Sequence, residues 1–178
     1  MSPGAACPTL IVVSGPPGAG KTTLAHALAT MIGCPAICRD EIREGIVHAG
    51  TPDRDLLHTY RTFVDTVSGL VRAGVTVVAE AAFQNGLWRP LLELPASVRV
   101  IRCVVTPDIA RERVAARGER AAHPGRPVAA DTWRPISGDF ATLLVDTDHG
   151  YSPGIDDIVQ FAARNGRRRR GTAALGPQ

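Results

Sequence analysis

Residues 9–22 read Thr-Leu-Ile-Val-Val-Ser-Gly-Pro-Pro-Gly-Ala-Gly-Lys-Thr. The first six are predominantly apolar and run straight into glycine and proline, as a strand buried on both faces of a parallel sheet would. Past the glycines, Leu24, Leu28, Met31 and Ile32 recur on one face. A helix is therefore expected from about Lys21 to Ile32, with Gly33 as its stop. A buried strand, a tight glycine turn and a helix make the first step of an alternating α/β chain. The alternation continues with strands expected at 35–38, 75–79, 98–105 and 142–145. Between them, helices are expected after Cys38 with Ile42, Ile46 and Val47 inward, from Thr51-Pro52-Asp53 to an end at Gly74, at about 87–94, at 107–117 and at 155–163. The predicted fold class is α/β, a five-stranded parallel sheet flanked by helices in three layers, closed by a short helical lid.

The turn itself carries chemistry. Gly15-Pro16-Pro17-Gly18-Ala19-Gly20-Lys21-Thr22 satisfies G-x-x-x-x-G-K-[ST] in full, which makes the fold a P-loop NTPase sandwich. Glycines let backbone N–H groups turn inward around a polyphosphate, and the following helix offers its positive end. The expected nucleotide-binding residues are Gly15, Pro17, Gly18, Ala19, Gly20, Lys21, Thr22 and Thr23, with ATP or GTP as the nucleotide. The Lys21 ammonium would bridge the β- and γ-phosphates, and the Thr22 hydroxyl would ligate Mg²⁺.

Composition sharpens this reading. The 178 residues include 20 basic ones, yet Lys21 is the sole lysine among 19 arginines. The net charge of +3 comes from Arg167 to Arg170; without residues 167–178 it is −1. A near-neutral body argues against a protein that coats nucleic acid. One domain is expected over residues 1–166, with a lid at about 113–130, followed by a disordered arginine-rich tail at 167–178. No apolar run approaches the roughly 20 residues of a membrane span. The start lacks the blocks of a signal peptide, so a cytoplasmic protein without a membrane partner is expected. Cys7, Cys34, Cys38 and Cys103 show no paired C-x-x-C spacing, so neither a zinc site nor a disulfide framework is expected.

Further positions bear on catalysis. Asp40 follows the second strand, at the sheet end where open α/β folds bind ligands, and a carboxylate there could accept a proton from an acceptor hydroxyl. It could equally cap the helix that begins there. Arg43, one turn on, could hold a polar or anionic group of the acceptor. Glu80 ends the third strand among apolar neighbours, where it could hold the metal through water or touch the acceptor. Arg113 and Arg117 share a helix face, and Arg120 follows in a Gly/Pro/Arg-rich loop, an arrangement suited to closing on a transferring phosphate. Arg89 is a further candidate for substrate contact. Trp88 and Trp133 suit packing as well as an acceptor pocket. His26 and His58 read as surface or packing residues; His48 and His123 could also meet substrate, although a surface or packing role is the leading reading.

With these parts assembled, residues 9–163 resemble the small P-loop kinases that group chloramphenicol phosphotransferases, zeta-toxin-like kinases and polynucleotide 5′-kinases. The resemblance rests on residues 15–22, Arg39-Asp40-Glu41-Ile42-Arg43, the Glu80 strand end, residues 113–120 and Val145-Asp146-Thr147. It implies that Asp40 is the base and that the lid arginines bind ATP phosphates; Glu80 stands where an aspartate is more usual. The implied catalytic set is Asp40, Lys21, Arg117 and Arg120, with Arg113 and Arg117 on ATP, and Asp40, Arg43, Glu80 and Arg89 on the acceptor. The layout is most similar to chloramphenicol phosphotransferase, which implies a small hydroxylated acceptor such as an antibiotic or a nucleoside. A polynucleotide 5′-kinase is the rival, weakened by the absence of a basic channel. A regulatory NTPase or toxin-like binding protein is the third reading. Oligomeric state does not follow from the sequence.

Overall fold

The structure is a computed structural model, and it describes residues 7–51, 56–83, 86–117 and 133–164. The elements alternate as β1 (Thr9–Ser14), α1 (Lys21–Ile32), β2 (Ala36–Cys38), α2 (Arg39–His48), α3 (Leu57–Arg72) and β3 (Val77–Glu80). A 3₁₀ helix (Gly86–Glu93), β4 (Ser97–Val104), α4 (Pro107–Ala116), β5 (Ala141–Asp146) and α5 (Ile155–Ala163) follow. The five strands pair in the order β2-β3-β1-β4-β5, and every pairing is parallel. β1 is thus central, flanked by β3 and β4.

Alternation along β1 divides the core into two layers. Leu10 and Val12 pack with Phe63, Val67 and Val71 of α3 and with Leu91 of the 3₁₀ helix. Ile11 and Val13 point the other way, toward Leu24 and Leu28 of α1 and Ile158 of α5. Both faces of the strand are buried, which is why its sequence is continuously apolar rather than alternating. Phe63 is completely buried, and removing such a ring typically costs about 3–5 kcal/mol.

Several boundaries differ from expectation for local reasons. The segment after β3 is a 3₁₀ helix, not an α-helix, and it contains Pro90. Proline has no N–H to donate and its ring crowds the preceding turn, which disfavours a continuous α-helical ladder. α3 begins at Leu57, after Leu56 in a left-handed conformation (φ 60°), and Thr51 is not helical. Pro52 and Asp53 of the expected start signal lie outside the described residues. β3 begins at Val77, because the Val75 N–H closes α3 by donating to the Leu70 carbonyl. The lid beyond Arg117 as far as 132, including Arg120 and His123, lies outside the described residues, as does the tail 167–178. Among the described residues, no helix is long and apolar enough to cross a membrane.

Candidate active site

The cradle forms where β1 ends and α1 begins. Gly18 and Gly20 adopt left-handed conformations, with φ of 81° and 67°. Only glycine takes these up without strain, and they turn the loop back on itself. Gly18 is also constrained by space, because a Cβ there would lie 2.5 Å from the Ala110 carbonyl oxygen of α4. A Cβ at Gly15 would lie 2.6 Å from the carbonyl oxygen of Cys103 on β4. The loop is therefore pressed between a strand and a helix. Ala19 is fully buried beneath it, while Pro17 and Gly20 are partly exposed. Thr23 is exposed on the first turn of α1.

Lys21 and Thr22 meet Glu80. Lys21 Nζ donates to the Pro16 carbonyl at 3.0 Å and lies 4.0 Å from Glu80 Oε1. The Thr22 hydroxyl donates to Glu80 Oε2 at 3.2 Å. Glu80 is buried because β3 lies beside β1, its Cα in register with Val13 on one side and Cys38 on the other. Burial pushes its carboxyl above the ordinary value; Lys21 and the Thr22 hydroxyl act in the opposite direction, and Asp40 adds to the rise. Hydroxyl and carboxylate are the hard oxygen donors that Mg²⁺ prefers, and a buried carboxylate only partly balanced by one lysine suits a cation. The donor set thus fits the metal that accompanies a nucleoside triphosphate.

β2, β3 and β1 are consecutive in the sheet and end at the same edge, so Asp40, Glu80 and the cradle come together there. Asp40 sits in the first turn of α2 and is ion-paired with Arg39, whose Nε donates to Asp40 Oδ1 at 3.0 Å. The Arg39 guanidinium in turn lies over the Tyr60 ring, 5.2 Å from its centroid. Sequence alone assigns Arg39 no separate role; its adjacency to Asp40 is the only local signal. Cys38 is the N-cap of α2 and Asp40 is the helix's second residue, so Asp40 does not occupy the N-cap position. Arg43 is half-buried one turn further on.

The arginines divide by environment. Arg113 donates to the carbonyls of Gly18 (3.4 Å), Thr147 (2.6 Å) and Asp148 (3.0 Å). Its guanidinium ties the cradle, α4 and the loop after β5 together. The tie is reinforced where Asp148 Oδ1 accepts from the Thr106 N–H at the start of α4. Arg117 is exposed at the C-terminal end of α4. Arg89 is also exposed, on the 3₁₀ helix, with its guanidinium 5.8 Å from the Trp88 ring centroid. Trp88 is a core residue, packed edge-on to Phe83. Trp133 is fixed by donating from Nε1 to the Ala82 carbonyl at 2.9 Å, which brings it beside the residues just after Glu80. Cys103, under the cradle, is fully buried and its thiol is pushed up to about 12, chiefly by burial.

Fold and cradle define this chain as a P-loop NTPase of the α/β class. It belongs to the AAA domain family, whose model matches residues 10–133. No curated protein matches it in sequence. Among solved structures, it is similar to a candidate kinase from Chloroflexus aurantiacus J-10-fl, with 26% identity and a TM-score of 0.74, over 90% of this chain and all of that one. A sugar kinase from Janibacter sp. HTCC2649 shares the fold at 20% identity and a TM-score of 0.63, over 86% of this chain and 94% of its own. APS kinase CysC of Mycobacterium tuberculosis, solved with AMPPNP and APS, does so at 18% identity and a TM-score of 0.62, over 87% and 95%. The family match and the Chloroflexus structure support a nucleotide-binding kinase of the P-loop type, and the other two structures show the same fold.

Proposed function

We propose that the protein is an ATP-dependent phosphotransferase that moves the γ-phosphoryl group to a hydroxyl of a small molecule, an antibiotic or nucleoside being the leading class. The observation that carries this reading is the convergence of Asp40, Glu80 and the cradle at one sheet edge. Backbone N–H groups of residues 15–22 and the Lys21 ammonium grip the phosphates. The Thr22 hydroxyl, with Glu80 directly or through water, would hold Mg²⁺, which would supply positive charge to the nucleotide phosphates. Asp40 takes the proton of the acceptor hydroxyl as its oxygen bonds to the γ-phosphorus and the bond to the β-phosphate oxygen breaks, leaving ADP. Arg39, ion-paired with Asp40, orients the carboxylate for that step. Arg117 and Arg120 contribute positive charge to the transferring group, while Arg113 anchors α4, at whose end Arg117 stands. Arg43 and Arg89 contact the acceptor.

The near-neutral body favours a small acceptor over a polynucleotide, which would call for a basic channel. Incubation with labelled ATP and a panel of hydroxylated antibiotics, nucleosides and 5′-hydroxyl oligonucleotides tests the reading. Label on a small molecule is expected. Transfer confined to oligonucleotides would overturn the small-acceptor assignment, and ATP hydrolysis with no transfer would overturn the kinase itself.

A further inference from the structure

Three side chains outside the cradle meet where α1, β2 and α2 come together. Cys38 closes β2, Glu41 lies in the first turn of α2, and His26 projects from α1. One ligand-capable atom from each lies within 4.8 Å of the others. His26 Nε2 is 2.7 Å from Glu41 Oε1 and 3.8 Å from Cys38 Sγ. A single ring nitrogen thus faces both a carboxylate and a thiol, although it has only one proton or one lone pair to offer. A surface ion pair would account for His26 and Glu41 alone; it gives no reason for the sulfur to converge on the same nitrogen.

We propose that His26, Cys38 and Glu41 form a site for a divalent cation of zinc-like character, distinct from the oxygen-lined Mg²⁺ position at Thr22 and Glu80. Imidazole nitrogen, thiolate sulfur and carboxylate oxygen are the ligand types that zinc takes, and the two softer ones disfavour magnesium. On a tetrahedral zinc, neighbouring nitrogen, sulfur and oxygen ligands stand roughly 3.2–3.7 Å apart. The sulfur-to-nitrogen distance already lies close to that range, and the nitrogen-to-oxygen distance needs only a small opening. Exposure favours such an adjustment: His26 and Glu41 are each about half exposed, with side-chain values of 51%, whereas Cys38 is fixed in the sheet at 2%. The half-exposed imidazole and carboxylate leave the site open to solvent on that side, so a water can serve as fourth ligand. His26 is five residues along α1 from Lys21, about 7.5 Å of helical rise, so the site adjoins the cradle without sharing a ligand with it. Two of its ligands, at 38 and 41, bracket Arg39 and Asp40, so a bound ion would fasten that turn to α1.

The test is titration of the full chain, free of nucleotide, with Co²⁺ and then Zn²⁺. The expected result is one Co²⁺ per chain with a near-ultraviolet thiolate-to-cobalt absorption band, displaced by Zn²⁺, and a rise in melting temperature with Zn²⁺. His26→Ala and Glu41→Gln, both at exposed positions, should each weaken Co²⁺ binding at least about tenfold. Cys38→Ser should abolish the band, whereas Cys34→Ser and Thr22→Ala should retain it. Absence of a thiolate band in the parent chain would overturn the site. So would a band indifferent to both His26→Ala and Glu41→Gln, or one lost with Cys34→Ser.

Discussion

The Thr22 hydroxyl donates to Glu80 Oε2 at 3.2 Å, joining the first turn of α1 to the end of β3 across 58 residues of sequence. With Lys21 Nζ 4.0 Å from the other carboxylate oxygen, the two phosphate-loop side chains converge on one buried acid. That acid is unlike most surface carboxylates, because burial raises its proton affinity above the ordinary carboxylate value.

The first prediction concerns Glu80 and pH. Its folded-state affinity for a proton exceeds the unfolded one, so its contribution to stability is fully present below the ordinary value of 4.5 and is lost as pH rises through the higher folded value. Glu80→Gln should therefore be at least as stable as the parent at neutral pH while losing Mg²⁺-dependent turnover. Melting curves of both proteins from about pH 4 upward should diverge in the variant's favour as pH increases. A variant less stable at pH 7 than at pH 4, relative to the parent, would contradict this.

Asp40→Asn should bind Mg·ATP with affinity close to the parent's but lose about 10²–10⁴-fold in turnover, the range for removing a positioned general base. Titration calorimetry for nucleotide binding and a coupled ADP assay separate the two effects. Unchanged kcat would remove Asp40 as the base.

Arg113 and Arg117 should behave differently although they sit one turn apart. Arg113→Ala strips hydrogen bonds from the Gly18, Thr147 and Asp148 carbonyls and should destabilise by about 1–3 kcal/mol. For a chain of this size that is a melting shift of about 3–10 °C. Arg117→Ala, at an exposed helix end, should leave the melting temperature within about 1 °C and lower kcat instead. Differential scanning fluorimetry beside steady-state kinetics checks the pair.

Gly18→Ala is expected to fail sterically, not chemically. A methyl group would meet the Ala110 carbonyl, and φ of 81° is unfavourable for any L-residue with a side chain. The combined cost is about 2–4 kcal/mol, and nucleotide affinity should fall with it. Gly45→Ala, in α2 where a Cβ meets nothing within 4 Å, is the control expected to be neutral or slightly stabilising.

What the sequence makes legible follows from how local each signal is. The cradle and its two flanking elements are adjacent in sequence, so glycine spacing and an apolar run suffice to find them. The three-layer sandwich follows from the alternation of elements, and the five expected strands all occur. Glu80 is recognisable as a strand-end acid, but its contact with Thr22 depends on β3 lying beside β1, an order no local pattern encodes. Arg113 looks like a ligand for phosphate because it shares a helix face with Arg117. Its actual partners are main-chain carbonyls up to 95 residues away, and backbone acceptors leave no trace in composition. The His26–Cys38–Glu41 cluster is invisible for the same reason: three elements supply it, at spacings that match no ligand motif.

Lys21 has one more consequence, for labelling. It is the sole lysine in the chain, and only 13% of its side chain is accessible, tucked against the Pro16 carbonyl. Any reagent that acylates side-chain amines thus has a single lysine target, and that target lies in the loop proposed to hold the nucleotide. Its rate of modification, read on the peptide that carries Lys21 so that the α-amino terminus does not contribute, becomes a gauge of whether a nucleotide occupies the loop, with no reporter group engineered into the protein.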